Sequence, residues 1–241
     1  MKICGLMKTT LLDYPEHVAC TVFTGGCNFR CPFCHNSELL SMEVPPEYTE
    51  EEIFAFLEKR KHTLEGVAIT GGEPTLQPDL ADFIRKIKDR FDLLIKLDTN
   101  GIRPEVLRNL AEEGLLSYVA MDIKAGTANY ANVCGMSGEA EGSLWFSKIT
   151  ESKDYLLEGH VPFEFRTTVV DGLHTEEDFV SIAESIKGAP LYALQCYKES
   201  GNVLDKTRGF SEPKPETLVK YRDLVAPSVG RCIIRGVDIE I

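Results

Sequence analysis

CNFRCPFCHN, residues 27–36, places Cys27, Cys31 and Cys34 in one short loop and decides most of what this sequence predicts. An iron–sulfur cube takes four ligands, normally all cysteine. A loop that supplies only three thiolates therefore leaves one iron open to bind a molecule that reacts. A structural zinc site is the alternative, but such sites usually pair two CxxC-type knuckles to close a tetrahedron, and this sequence has no second knuckle.

Composition limits the partners of the chain. With 43% hydrophobic and 27% charged residues the sequence is typical of a globular protein. The net charge of −12 argues against non-specific binding to nucleic acid or anionic lipid, which require the opposite sign. No signal-peptide core opens the sequence and no apolar run approaches the ~20 residues that span a bilayer. We expect a cytoplasmic protein without nucleic-acid or membrane partners.

Five further cysteines lie outside the loop. In a reducing compartment, cysteines indicate metal binding rather than disulfides. These five are scattered singly, which is typical of small buried apolar side chains rather than ligands. They are Cys4, Cys20, Cys134, Cys196 and Cys232.

Strands and helices alternate along the chain, which predicts parallel strands joined by right-handed crossovers. Leu80, Phe83, Ile84 and Ile87 have the spacing of a one-sided helix. Thr49 with Glu52, the form of a capping box, predicts where the first helix begins. The predicted strands are His17–Phe23, Gly66–Thr70, Leu93–Asp98, Tyr118–Ile123, Phe163–Val170 and Leu191–Cys196.

Polar residues on one face of three strands refine this fold class. Parallel strands covered on both faces are usually continuously apolar, and an eight-stranded barrel fills its lumen with apolar layers. A polar inner face instead favours an α/β fold of the partial (β/α)6 type, an open barrel that holds a polar ligand. A wet strand end without a ligand is the alternative. The polar pairs are Lys96 with Asp98, Asp122 with Lys124, and Glu164 with Arg166.

We expect a single domain over residues 1–241, because no convincing boundary interrupts the pattern. The core barrel would cover about 17–198, and a C-terminal helix and strand would follow in 213–241. The Gly-rich, weakly patterned segment Gly126–Ser143 predicts a loop over the barrel mouth.

Two further motifs follow predicted strands, at the end of the sheet where α/β proteins place their sites. In Thr70-Gly71-Gly72-Glu73-Pro74 the two glycines permit close approach of the backbone to a ligand, and Glu73 offers a carboxylate to an ammonium group. Asp98-Thr99-Asn100-Gly101 and Asp122-Ile123-Lys124 end the next two strands, so the two aspartates need a cation or a lysine between them.

Together, the cysteine loop and GGEP resemble the signature of the radical S-adenosylmethionine (radical SAM) superfamily, and more narrowly of its glycyl-radical-enzyme activases. The resemblance implies a 4Fe-4S cluster on Cys27, Cys31 and Cys34, whose open iron chelates S-adenosyl-L-methionine. Reductive cleavage of that cofactor then gives methionine and a 5′-deoxyadenosyl radical. It further implies that the cofactor contacts Phe33, Gly71, Gly72, Glu73 and Asn100.

Pyruvate formate-lyase activating enzymes carry DTNG and DLK runs that are similar to residues 98–101 and 122–124. In that family these runs bind a monovalent cation and the cofactor carboxylate. Carried over, Asp98, Thr99 and Asp122 would hold the cation, and Asp98 and Lys124 would contact the cofactor. Arg166 is a further candidate for the cofactor carboxylate, because its guanidinium is a rigid fork of donors, and a salt bridge to a lumen carboxylate is its alternative role. The sequence has Cys196-Tyr197-Lys198 where that family has a histidine, so no role is assigned to Lys198.

Residues LMKTTLLDYP, near the N-terminus, and MDIKA, around Asp122, match the activating proteins of anaerobic (class III) ribonucleoside-triphosphate reductases better than pyruvate formate-lyase activases. This resemblance implies a glycyl radical enzyme as protein substrate and a low-potential electron donor such as flavodoxin or ferredoxin. Since a loop of the partner must enter the open barrel, Gly126–Ser143 and the C-terminal segment are the candidate docking surface. A radical SAM enzyme that acts on a small molecule and an iron–sulfur electron carrier are the alternatives.

Overall fold

The computed structural model describes residues 1–136, 139–199 and 203–237, with the side chains of 139–142 left out. Eight strands and seven α-helices alternate through most of these residues. The strands are β1 Ile3–Thr10, β2 Ala19–Thr24, β3 Gly66–Gly71, β4 Leu94–Thr99, β5 Tyr118–Asp122, β6 Phe163–Val169, β7 Tyr192–Cys196 and β8 Cys232–Arg235. The α-helices are α1 Glu50–Arg60, α2 Leu80–Phe91, α3 Pro104–Glu112, α4 Tyr130–Cys134, α5 Glu139–Leu157, α6 Glu176–Ser185 and α7 Pro215–Val225.

All eight strands form one sheet in chain order, from β1 to β8. The pairs from β2 to β8 are parallel, whereas β1 pairs with β2 in the antiparallel sense. The six predicted strands are confirmed as β2 to β7, and the predicted terminal strand is β8. None of the described helices is long and apolar enough to cross a membrane.

Side chains alternate between the two faces of the sheet, as the two-residue period of a strand requires. On β3 and β4 the outward residues Val67, Ile69, Ile95 and Leu97 are fully buried in the apolar core. The one-sided face of α2, with Phe83 among its buried residues, belongs to the same core. The capping box of Thr49 and Glu52 is present at the start of α1, as predicted.

The inner face is polar and encloses space, which confirms the predicted open barrel. A cavity of about 940 Å³ is lined by Tyr14, which precedes β2, and by Arg231 and Arg235 at the other edge of the sheet. Both edges can line one cavity only if the sheet curls. Since β1 and β8 are not hydrogen-bonded to each other, the barrel stays open.

Two sequence-based expectations need correction. Strand β1 was not predicted, because register shifts interrupt its pairing and its burial does not alternate cleanly. The segment Gly126–Ser143 is not a continuous loop: α4 lies within it and α5 begins at Glu139. Tyr130, Val133 and Cys134, at helical spacing, bury one face of α4, which overrides the glycine-rich composition. Residues 137–138, and 238–241 of the predicted C-terminal segment, lie outside the described residues.

Candidate active site

Every residue proposed from the sequence for the site lines one cavity of about 240 Å³, at the carboxyl ends of the strands. The loop after β2, the ends of β3 to β5 and the inner face of β6 contribute to it. The predicted residues around it are Cys27, Cys31, Phe33, Cys34, Gly71, Gly72, Glu73, Asp98, Thr99, Asn100, Asp122, Lys124 and Arg166. The structure brings these side chains together; their binding roles stay predictions.

The two glycines of GGEP hold the end of β3 against the start of the cysteine loop. The amide of Glu73 donates to the carbonyl of Gly26 at 2.8 Å. A β-carbon on Gly72 would lie 2.2 Å from that same carbonyl oxygen, and Gly71 has a φ of +111°. Both positions therefore require glycine, and one reason is contact between backbones rather than only contact with a ligand.

The Glu73 carboxylate is buried, and its hydrogen-bond donors in the described part of the chain are all neutral groups. Its Oε1 accepts from the Thr75 hydroxyl at 2.5 Å, the Thr75 amide at 3.1 Å and the Thr99 hydroxyl at 2.7 Å, and its Oε2 accepts from the Asn100 amide at 2.7 Å. Burial raises the pKa of Glu73 despite these bonds. Among the described residues no cationic side chain forms a salt bridge with it. A cationic ligand would supply the missing charge.

Arg166 joins the two aspartates that the sequence placed on neighbouring strand ends. Its Nη1 lies 3.3 Å from Asp98, and its Nε and Nη2 each lie 3.0 Å from Asp122 Oδ1. Lys96 also pairs with Asp98, and Lys124 pairs with Asp122 at 2.8 Å. The predicted alternative for Arg166, a salt bridge in the lumen, is confirmed.

These charges shift the pKa values of both acids. Burial opposes ionisation, but the Arg166 guanidinium and the Lys124 ammonium hold the pKa of Asp122 at about 2. Against the same effect of burial, Arg166 and Lys96 lower the pKa of Asp98. Alternating positive and negative groups thus run along the inner face beside the cavity, and both aspartates are ionised at neutral pH.

The three cysteines are free thiols in poorly solvated positions. Burial and the neighbouring Glu73 carboxylate raise the pKa of Cys27 to about 12, and burial raises the pKa of Cys34. A thiolate at Cys27 or Cys34 needs a nearby cation to stay ionised. Among the described residues, no three Cys, His, Asp or Glu side chains are arranged to hold one metal ion. A single zinc ion therefore has no support in the described residues, whereas three thiols in one loop are a donor set in which each thiolate can bind its own iron.

Several contributors to the site were missed from the sequence. Asn28, next to Cys27, accepts from the Asn100 amide group at 3.0 Å, while its own buried Nδ2 has no partner among the described residues. Asn36 donates to the carbonyl of Gly71 at 3.2 Å. Asn28 lies inside the CxxxCxxC run and Asn36 directly follows its histidine, so their place in the loop was the available signal.

His174 also differs from expectation. As a histidine near a turn or element end it would be expected to be solvated or to cap a helix, yet it is buried. Its Nδ1 accepts from the Val170 amide at 3.1 Å, and its Nε2 donates to the Lys124 carbonyl at 2.8 Å. Burial lowers the pKa of His174. The neutral imidazole therefore anchors the backbone of Lys124, at the edge of the site.

Aromatic rings form another wall of the site. Phe33 packs edge-on against Phe210, with 6.4 Å between ring centroids, and His35 lies 5.0 Å from the ring of Tyr197. The cavity therefore combines an aromatic wall, a carboxylate without a cation and a three-thiol loop, which suits a ligand with a planar ring and an ammonium group.

Lys198, to which the sequence analysis assigned no role, pairs with Glu212 at 2.6 Å on an exposed surface.

Comparison with known proteins agrees with this geometry. The sequence profile described as the radical SAM superfamily matches residues 21–186. A Methanocaldococcus jannaschii protein, provisionally named as a glycyl-radical enzyme activating enzyme, is 30% identical over 98% of this chain and 96% of its own length. A second protein of that organism with the same provisional name is 24% identical over 85% of this chain and 75% of its own.

Solved structures show the same fold. Streptococcus suis SuiB bound to S-adenosylmethionine superposes with a TM-score of 0.66 at 13% identity, covering 88% of this chain and 48% of that chain. The superfamily implies S-adenosyl-L-methionine and an iron–sulfur cluster, and the residues around the cavity fit both. The chain is a radical SAM enzyme and belongs to the radical SAM superfamily.

Proposed function

We propose that the chain is a glycyl-radical-enzyme activating enzyme whose partner is an anaerobic ribonucleoside-triphosphate reductase. The observation that carries the activase assignment is the end-to-end similarity to a relative named for that activity. The LMKTTLLDYP and MDIKA runs support the reductase as partner, with a pyruvate formate-lyase-type enzyme as the second candidate. A single domain over 1–241 is consistent with this assignment, since β8 extends the same sheet.

Cys27, Cys31 and Cys34 would ligate three irons of a 4Fe-4S cluster. When bound, the cluster and S-adenosyl-L-methionine supply a 5′-deoxyadenosyl radical for hydrogen abstraction. The residues of the chain hold these groups in position and supply the charged side chains around them. The backbone bond from Glu73 to Gly26 holds the GGEP turn against the start of the cysteine loop.

The remaining residues would bind the cofactor by complementary charge. Glu73, buried without a cation, would accept the amino group, for which Oε2 has an unused lone pair. Lys124 and Arg166 would bind the cofactor carboxylate. Each would also keep its salt bridge to a protein carboxylate, Lys124 to Asp122 and Arg166 to Asp98. Phe33 would pack near the adenine, and Asn100 would hold the cofactor from the end of β4.

A monovalent cation on Asp98, Thr99 and Asp122 stays part of this proposal. Arg166 already lies between the two aspartates, and the Thr99 hydroxyl donates to Glu73. Occupation by a cation would require these side chains to turn. Cofactor affinity in potassium, sodium or a large organic cation at constant ionic strength tests the site; equal affinities would remove the cation from the proposal.

Access from a second opening supports a macromolecular substrate. The 940 Å³ cavity begins at the amino ends of the strands, and Arg166 lines both it and the cofactor cavity. Leu11 and Leu12, 67% and 87% exposed, lie on its rim. Residues of β8 line it as well, which supports the predicted docking at the C-terminal segment, whereas α4 of the other predicted segment packs on the cysteine loop.

The test is anaerobic reconstitution followed by electron paramagnetic resonance. A reduced four-iron signal that changes when S-adenosyl-L-methionine is added, followed by a glycyl doublet after mixing with the reductase, supports the proposal. Cys34→Ala is the matched control and gives neither. If the reductase gives no doublet and pyruvate formate-lyase gives one, the partner is instead an enzyme of the pyruvate formate-lyase type. Turnover of a small molecule without any protein partner would overturn the activase assignment, and a cluster indifferent to the cofactor indicates an electron carrier.

A further inference from the structure

Thr168 and Gln195 are two neutral polar side chains on the inner face of the sheet to which no role has been assigned. They are neighbours, because Thr168 on β6 pairs in register with Gln195 on β7. Thr168 lines the cavity of about 240 Å³ that contains the predicted cofactor residues, and Gln195 lines the cavity of about 940 Å³. The pair therefore lies where the two cavities approach each other, between the larger opening and the cofactor site.

Both side chains keep their hydrogen-bonding groups unused. Neither has a side-chain hydrogen-bond partner among the described residues, and each is partly exposed where it lines its cavity. The charged side chains of β4, β5 and β6 differ, because all of them are held in salt bridges. These pairs are Lys96 with Asp98, Arg166 with Asp98 and Asp122, and Arg235 with Glu164. The hydroxyl and the carboxamide are thus available to a ligand without the loss of an existing bond.

An uncharged pair of this kind matches a peptide backbone. A glutamine carboxamide offers an acceptor oxygen and two N–H donors, and a threonine hydroxyl offers one donor and two lone pairs. In an extended chain the N–H and the C=O of one residue point to the same side, as the paired bonds of an antiparallel ladder show. One carboxamide can therefore bind both groups of a single residue. A glycine has no side chain by which it could be recognised, and its missing β-carbon lets its backbone lie close to the sheet.

We propose that Thr168 and Gln195 bind the backbone of the partner's segment that carries the target glycine. This inference rests on the proposed function, because it needs a protein substrate whose glycine enters the lumen. Gln195 would bind the N–H and the C=O of one extended residue. The hydroxyl of Thr168, which lines the cofactor cavity, would bind a neighbouring peptide group. The two residues would thus hold the segment between the larger opening and the cofactor.

Two substitutions that keep the shape of the side chain but delete its polar groups test this in the reconstituted holoenzyme. Thr168→Val removes the hydroxyl, and Gln195→Leu removes the carboxamide. Each should raise the reductase concentration needed for half-maximal formation of the glycyl doublet by roughly threefold to tenfold, as the loss of a net hydrogen bond implies. Affinity for S-adenosyl-L-methionine, measured by anaerobic equilibrium dialysis, should stay at the wild-type value. If the wild type activates only pyruvate formate-lyase, that protein replaces the reductase in every measurement.

Two further variants are matched controls. Thr168→Ser keeps the hydroxyl and should retain the dependence on partner concentration that the wild type shows. Thr63→Val removes an exposed hydroxyl just after α1, outside the lumen, and should retain it as well. If Thr168→Val or Gln195→Leu gives no cooperative unfolding transition in urea, Thr168→Ala or Gln195→Met replaces it with the same expectation.

The other outcomes contradict the inference in distinguishable ways. A wild-type doublet together with an unchanged partner dependence in both variants refutes the inference and leaves the proposed function intact. A shift in one variant alone overturns the joint role of the pair, and weaker binding of S-adenosyl-L-methionine by Thr168→Val assigns the hydroxyl to the cofactor instead. If the wild type forms no doublet on either partner, the proposed function itself fails and this inference fails with it.

Discussion

The carboxylate of Glu73 accepts a hydrogen bond from the hydroxyl of Thr99, with 2.7 Å between Oε1 and Oγ1. This bond joins the ends of β3 and β4 and belongs to a shell of neutral donors around a buried acid. Such a shell orients the carboxylate without neutralising its charge. The charge is left for a ligand, which is why burial still raises the pKa of Glu73.

Cofactor binding should therefore depend on the ionisation of Glu73. An ammonium group binds the carboxylate, so affinity for S-adenosyl-L-methionine should fall as the pH decreases through the raised pKa of Glu73. Glu73→Gln should lose about 1.5–3 kcal/mol of binding free energy, the usual contribution of a charged hydrogen bond, and should lack this pH dependence. Equilibrium dialysis under anaerobic conditions across the pH range measures both.

Glu184→Gln, which changes an exposed carboxylate on α6, is the control and should bind as the wild type does. A Glu73→Gln variant with the affinity and pH profile of the wild type would show that the ammonium group binds elsewhere.

Among the charged residues of the inner face, Arg166 should be the one whose replacement lowers the free energy of unfolding most. Arg166→Gln leaves the carboxylates of Asp98 and Asp122 without their shared guanidinium. Breaking a buried ion pair by removal of one partner costs about 3–5 kcal/mol, so the free energy of unfolding measured in urea should fall by that amount. Lys220→Gln breaks an exposed pair with Glu176 and should cost less than ~1 kcal/mol. Similar losses in the two variants would mean that water screens the lumen charges.

The sequence was sufficient to place the candidate site because parallel strands deliver their carboxyl ends to one edge. GGEP, DTNG and DIK each end a strand, so the alternation of strands and helices already implied that they meet. Which charge would pair with which could not be derived. Arg166 reaches Asp98 two strands away, and that contact depends on register and curvature, which sequence spacing does not encode.

Contacts between segments that are distant along the chain could not be predicted from the sequence either. Cys134 has the sequence context of any isolated cysteine, because Arg30, whose amide donates to its carbonyl, lies far from it along the chain and the glycine-rich composition around α4 predicts a loop. His174 was hidden for the same reason: its acceptor is the carbonyl of Lys124, on another strand end. A side chain whose role depends on one long-range partner leaves no local pattern.

His174 should make the protein sensitive to acid. The folded state holds the imidazole neutral with a pKa lowered by burial, whereas the unfolded chain protonates it near the ordinary value of about 6.5. The free energy of unfolding should therefore decline as the pH falls below about 6.5 and continue to decline until the lowered pKa is passed. Urea unfolding at a series of pH values measures this slope. His174→Gln, which cannot protonate, should be less stable at neutral pH but should show a shallower decline; a slope equal to that of the wild type would assign the acid sensitivity to other groups.

Removal of the side-chain hydroxyl should destabilise the protein at one buried tyrosine, Tyr192, but not at another, Tyr155. The hydroxyl of Tyr192 donates to Thr167 at 2.6 Å, and Thr167 donates onward to the carbonyl of Ile123. Tyr192→Phe breaks this chain and should reduce the free energy of unfolding by about 1 kcal/mol.

The hydroxyl of Tyr155 is buried without a hydrogen-bond partner in the described residues, and its ring stacks on His160 at 4.6 Å. Because phenylalanine keeps the ring contacts, Tyr155→Phe should leave the protein equally stable or stabilise it by up to about 1 kcal/mol. Chemical denaturation of the two variants in parallel distinguishes the cases, and a loss in Tyr155→Phe as large as that in Tyr192→Phe would reveal a partner for the Tyr155 hydroxyl, such as a bound water.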